Sequence, residues 1–195
     1  MVVRESYTDL IKYVSTKTGK SYNMSWKVAK EFSLVVKDAI KRGDTVNIEG
    51  FATIFFTTRH GSIYKNKEYT LDDQVEDIKD NLGINRISVK NILVTYIKRM
   101  RERVLDGYQV NLKGVCYLIP SEEQGEVVCV PIVSPVLEKP EIADFVLTTE
   151  NGLELSELGD EDLRFKIEVS EDIEYVYNIV KEDKKEGIEL KQADI

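Results

Sequence analysis

The strongest constraint on this chain is that it repeats itself. Shifted by 64 residues, GDTVNIEGFATIFF (residues 43–56) falls on GYQVNLKGVCYLIP (residues 107–120), and the alignment runs without a gap back to the quartets at 6–9 and 70–73. A repeat of this length marks two copies of one supersecondary unit, each marginal on its own at this size.

The unit can be read from its own punctuation. Ser6-Tyr7-Thr8-Asp9 and Thr70-Leu71-Asp72-Asp73 both read as capping boxes that start a short helix. Ile11 and Val14 fall on Val75 and Ile78, and the helix ends at Gly19 or Gly83. Ser21 and Asn85 then cap a longer helix. Its apolar stripe is Val28, Ala29, Phe32, Val36 and Ile40 in one copy, and Val89, Ile92, Leu93, Tyr96, Ile97, Met100 and Val104 in the other. That i, i+3, i+4, i+7 spacing marks a core-facing stripe, not a cofactor site. After Gly43 or Gly107 the period drops to two, with Val46 and Ile48, or Val110 and Leu112, alternating with polar residues as in a half-buried strand. Gly50 and Gly114 mark the turn into a second strand.

The residues Gly43, Asp44, Val46, Ile48, Gly50, Phe51 and Phe55 resemble the start of the β-sheet in HU/IHF-type bacterial DNA-bending proteins, whose pattern is close to GDxVxLxGFGxF after a helix pair. Ala52 stands where the second glycine of that pattern is usual, and the second copy keeps only Gly107, Val110, Leu112, Gly114 and an apolar Leu118. The resemblance implies an α+β fold of two tandem HU/IHF-like modules, each helix-helix-β-hairpin, forming a pseudo-dimer within one chain or by exchange between two. The modules are expected at residues 1–68 and 69–134. Gly43, Gly50, Phe51, Gly107 and Gly114 define the fold.

The resemblance also implies a long β-arm carrying arginines and a proline wedge, which bends DNA from the minor groove. Only 13 residues, TTRHGSIYKNKEY at 57–69, follow the first copy, and they contain no proline. They leave a small basic loop of Arg59, Lys65 and Lys67, read as a solvated hairpin or a phosphate contact. The second copy continues as SEEQGEVVCVPIVS at 121–134, a hairpin whose tip holds Glu122, Glu123 and Glu126, charges that a phosphate backbone repels. A second basic patch lies on the long helices: Lys98, Arg99, Arg101 and Arg103, with Lys27, Lys30, Lys37, Lys41 and Arg42 in the first copy. It reads as a wet helix face or as a surface for nucleic acid or an acidic partner.

Residues 135–195 are read as an acidic, β-rich C-terminal region. Apolar runs at 145–147, 163–169 and 175–180 suggest a small antiparallel β unit, and EDKKEGIELKQADI a polar tail or a strand that orders against a partner. Charge is divided the same way: residues 1–68 carry 12 basic and 7 acidic side chains, residues 69–120 carry 8 and 7, and residues 121–195 carry 7 and 21. A protein built to coat DNA normally shows a basic excess, and here only the front shows one.

No apolar run approaches the roughly 18–20 residues of a membrane span, and MVVRESYTDL lacks the apolar core of a signal peptide, so neither membrane nor export is expected. Cys116 and Cys129 form no metal-binding spacing and read as buried or half-buried thiols; His60, the single histidine, reads as a surface residue. No Walker loop, dinucleotide fingerprint, GxSxG or triad is present. The expectation is a protein that is not an enzyme, with no catalytic, metal or cofactor site and no small-molecule ligand.

Loss of the arms, acidity and the added β unit favour protein contacts over DNA. The tandem arrangement is similar to the IHF-like ring proteins of crAss-like tailed bacteriophages. That resemblance implies a virion component of the tail or portal vertex, assembled in the bacterial host cytoplasm, whose partners are itself in a homo-oligomeric ring and neighbouring virion proteins. The alternative is a DNA-binding architectural protein or regulator using the basic front. A third reading is a soluble inhibitor whose acidic β unit blocks a nucleic-acid-binding protein.

Overall fold

The computed structural model describes residues 4–58, 63–64, 67–123, 126–133 and 163–170. Helices α1 (Tyr7–Thr18) and α2 (Tyr22–Lys41) precede strands β1 (Thr45–Ile48) and β2 (Ala52–Thr58); helices α3 (Leu71–Leu82) and α4 (Arg86–Leu105) precede β5 (Val110–Leu112) and β6 (Cys116–Glu123). Between the two sets lie the short strands β3 (Ile63–Tyr64) and β4 (Glu68–Tyr69).

The expected caps form at three of four starts. Ser21 Oγ accepts from the Met24 N–H at 3.1 Å and Asn85 Oδ1 from the Ser88 N–H at 2.9 Å. Thr70 and Asp73 make the full capping box, the Thr70 N–H donating to Asp73 Oδ2 at 2.9 Å. Ser6 has the extended N-cap conformation, but its side chain makes no cap bond, so the capping box expected at 6–9 is absent.

The repeat survives at atomic detail. Six described glycines have positive φ, and they form three pairs 64 residues apart: Gly19 and Gly83, Gly43 and Gly107, Gly50 and Gly114. At Gly50, φ of 71° lets the turn return β2 onto β1, a backbone that a side chain would strain. Val46↔Ile54, Asn47↔Thr53 and Ile48↔Ala52 in one hairpin recur as Val110↔Leu118, Asn111↔Tyr117 and Leu112↔Cys116 in the other.

Burial follows the same frame. Leu10, Ile11 and Val14 are buried on α1, and Gln74, Val75 and Ile78 on α3. Each short helix packs on both long ones, α1 against α4 as well as α2, and α3 against α2 as well as α4. On the long helices Phe32 and Tyr96, both fully buried, meet edge-on with ring centroids 6.2 Å apart at 83°. The Gln74 amide donates to the Asn47 carbonyl at 3.0 Å, tying α3 to β1. Backbone ties are exchanged too: Glu68 runs parallel beside Thr45, and Arg4 beside Gln109, the same bridge shifted by 64 residues. These contacts merge the apolar faces of both copies into one core.

The short segment after β2 folds back through β3, with Phe56↔Tyr64 and Thr57↔Ile63, before β4 joins β1. The hairpin expected at 121–134 forms as β6 and β7 (Glu126–Val133), paired from Cys116↔Val133 to Glu123↔Glu126. The C-terminal β unit departs from expectation. Its strand at 163–169 is present as β8 (Leu163–Val169), but it pairs antiparallel with β2, from Ala52↔Val169 to Thr58↔Leu163. The physical reason is that β2 has a second edge to satisfy and β8 alternates suitably: Ile167 and Val169 turn into the core while Glu168 stays exposed. The runs expected as strands at 145–147 and 175–180, and the tail, lie outside the described residues.

Candidate nucleic-acid interface

The amphipathic period of α4 decides what its cations do. Its buried row is Val89, Ile92, Leu93, Tyr96, Ile97, Met100 and Val104, and the basic residues flank that row on two sides. Arg99 and Arg103, three residues beyond Tyr96 and Met100, lie on the side of α1. The Arg99 guanidinium sits 4.0 Å over the Tyr13 ring and 3.5 Å from Glu102. Arg103 donates from Nε to Glu5 Oε2 at 2.9 Å, pairs with Asp106 at 3.1 Å and lies 3.6 Å over the Tyr108 ring. Partial burial opposes the Arg103 charge, but its bonds to Glu5 and Tyr108 outweigh that and hold its pKa above the usual value. Both arginines are therefore structural fasteners: of the two readings of this patch, contact with an acidic neighbour describes them, the neighbours being Glu102, Glu5 and Asp106 of the same chain.

Lys98 and Arg101 lie on the other flank. With Glu49, Gly50, Leu71, Val94 and Ile97 they line a cavity of about 210 Å³ where the β1–β2 turn of one copy meets the long helix of the other. Lys98 is exposed, and Arg101 Cδ and Nη1 lie 4.0 Å from where a Cβ on Gly50 would stand. Leu71 and Val94 give the floor an apolar character, while the two cations and Glu49 set its charge. The repeat-related corner at Tyr7 and Lys113 holds a second cavity, of about 260 Å³, lined also by Arg4, Glu5, Leu10 and Asn111. Lys113 there takes the place of Glu49, with its Nζ 5.9 Å from the Tyr7 ring centroid.

Of the basic loop, Lys67 is exposed, with Nζ 3.6 Å from Asp73 Oδ1; Arg59 and Lys65, like His60, lie outside the described residues. In the first copy Lys27 and Lys30 are exposed, Lys30 lying over Trp26 at 4.9 Å, and Lys37 and Lys41 are half-buried. Arg42 pairs with the buried Asp44 at 3.1 Å and lies 5.6 Å over the Tyr69 ring. The tyrosine partners Tyr13, Tyr69 and Tyr108 were not legible as arginine seats in the sequence. The available signal was the position of Arg99 and Arg103 three residues from buried ones.

Gly43, Gly50, Gly107 and Gly114 take the positive φ that the fold requires, and Phe51 is buried in the shared core. Burial pushes the Cys116 thiol up to about 12, leaving it unreactive at neutral pH. Among the described residues no His, Cys, Asp and Glu side chains group in a way that could hold a metal ion, and no helix is long and apolar enough to cross a membrane.

No curated protein matches the chain. Residues 6–68, running from the N-cap of α1 into β4, match the family model of the bacterial DNA-binding proteins, a non-enzymatic family, and this part of the chain has an HU/IHF-like fold.

Proposed function

We propose that the chain is an HU/IHF-like architectural DNA-binding protein in which two modules, residues 1–68 and 69–134, stand in for the two subunits of a dimer. The observation that carries the reading is the reciprocity between the halves. Phe32 meets Tyr96, its own repeat equivalent, and the Glu68–Thr45 bridge is answered by Arg4–Gln109. A two-fold relation produces this self-matching pattern. The family match over residues 6–68 supports DNA as the ligand.

The surface assigned to the duplex is Lys98 and Arg101 beside the Gly50 turn, with Lys67 nearby in sequence to Arg59 and Lys65. With the chain after β2 turned back through β3, such a surface holds phosphates and positions a duplex without wedging a base step. The test is duplex affinity by fluorescence anisotropy at 50 and 200 mM salt. Three phosphate contacts give a log-log slope near −2.7 and a loss of about 40-fold across that range. A chain with no measurable affinity at 50 mM salt would sink the proposal.

A second reading, a protein-only ring component at the portal-to-tail region of a phage virion, is favoured by one observation. The β6–β7 register sets Glu123 opposite Glu126, with Glu122 beside them, at the end of the longest hairpin. That tip suits a basic protein surface better than DNA. Closed rings by mass photometry, together with absent DNA binding, would favour this reading.

A further inference from the structure

The two halves receive their third strand in different ways. In the second half β7 follows β6 across only Gln124 and Gly125. In the first half the chain leaves β2 for β3, β4 and α3, and the corresponding edge is filled by β8. The registers coincide: Ala52↔Val169 is the rung that Cys116↔Val133 occupies in the other half, and the ladders agree through Thr58↔Leu163 and Glu122↔Val127. β8 thus takes in the first half the place that β7 takes in the second.

The tethers differ as well. β7 cannot leave β6 without opening a tight hairpin, whereas β8 is joined to β7 through residues 134–162. A tether of 29 residues can reach at most about 100 Å when fully extended, well beyond the width of a domain this size. β8 enters the core through Ile167 and Val169, both 8% exposed, and the adjoining Ser170 N–H donates to the Phe51 carbonyl at 2.9 Å.

We propose that β8 is an exchangeable donor strand, and that the β2 edge is an acceptor site for β8 of a second copy of this chain. The rungs, the two buried side chains and the Ser170 bond are the same whichever copy supplies the strand, so local concentration selects between them. A connection of 29 residues keeps the strand's own edge at an effective concentration on the order of millimolar, and denser packing of copies tips the balance toward exchange. Donation runs from the C-terminal strand of one copy to the first half of the next. Each copy then holds one donor and one acceptor, so donation closes as a reciprocal pair or runs on into a larger ring or a filament according to the rotation at each step. An edge reading ATIFFTT is not left open, because an unpaired apolar strand is an aggregation template, so each β2 takes one strand or another. The inference does not depend on whether the chain binds DNA.

Thr53 and Glu168 are Cα partners across this ladder. Full-length T53C and E168C chains, each also carrying C129S, are purified separately, mixed at rising concentration, incubated and oxidised. The expected product is a disulfide-linked heterodimer, several-fold more abundant than the self-links of either chain and increasing with concentration. In the doubly substituted chain, oxidation at high dilution locks β8 to its own β2. That locked chain is expected to stay monomeric by light scattering where the unsubstituted chain forms oligomers, and reduction to restore them. The proposal is overturned if heterodimers do not exceed self-links, if the doubly substituted chain fails to close, if the unsubstituted chain stays monomeric, or if oligomers survive the lock.

Discussion

Phe32 and Tyr96 occupy the same position of the two repeats and touch each other, edge to face, at the centre of the shared core. Equivalent residues meet only close to the axis that relates their halves, so this contact is where the proposed pseudo-dimer is most sensitive. Phe32→Ala is expected to cost about 3–5 kcal/mol, enough to unfold much of the population of a marginally stable protein. A double-mutant cycle with Phe32→Leu and Tyr96→Leu should return a coupling of about 0.5–1.5 kcal/mol by denaturant unfolding. The Tyr96 hydroxyl is buried and has no hydrogen-bond partner among the described residues. Tyr96→Phe is therefore expected to leave stability unchanged or raise it, and a lower Tm would refute that account.

The two flanks of α4 should separate in mutagenesis. Glu5→Ala removes the partner of Arg103 Nε at a contact only 9% exposed on the glutamate side, and should cost about 1.5–3 kcal/mol in chemical denaturation. Lys98→Ala, on the exposed flank, should change stability by less than about 0.5 kcal/mol while reducing the magnitude of the salt slope for DNA by about one contact. Equal effects on both properties from both substitutions would show that the flanks are not distinct.

Capping gives an asymmetric pair. Thr70→Ala, which breaks a complete box, should cost about 1 kcal/mol, whereas Ser6→Ala, where no cap bond exists, should cost only a few tenths. The Thr70 N–H bond is the main cause of the lowered Asp73 pKa, so its stabilising contribution is present above about pH 4 and fades as pH falls through the lower folded value. Asp73→Asn should flatten stability against pH in that acid window.

At the alkaline end Cys116 acts in the opposite sense. Its thiol titrates from 9.0 upward when the chain is unfolded but is pushed up to about 12 when folded, so the unfolded state loses its proton first and stability falls as pH rises between those values. The limiting slope is about 1.4 kcal/mol per pH unit for one proton. Cys116→Val should remove that component, measured as unfolding midpoints from pH 8 to 11.

What was legible in the sequence was local. Glycine punctuation, the long-helix caps Ser21 and Asn85 and the apolar stripes follow from interactions within a few residues, and they fixed α1 to α4 and both hairpins. What was hidden was long-range. LRFKIEV announces a half-buried strand, yet nothing in it names β2 as partner, because ladder bonds are made by backbone that every residue shares. For the same reason Arg99 and Arg103 looked like surface charge: their seats, Tyr13 and Glu5, lie more than eighty residues away in the chain. The failed cap at Ser6 shows the reverse, a correct local pattern whose bond the surrounding structure does not form.

The corners at the two β-turns carry Glu49 in one half and Lys113 in the other, at corresponding places. In an assembly of two identical polypeptides a single codon change alters both corners at once, so opposite signs at matched sites are unreachable. Two copies of the unit on one chain lift that restriction. Each site mutates alone, and one corner is free to drift toward acidity while its counterpart turns basic. The outcome is a body with a direction, able to tell its two ends apart.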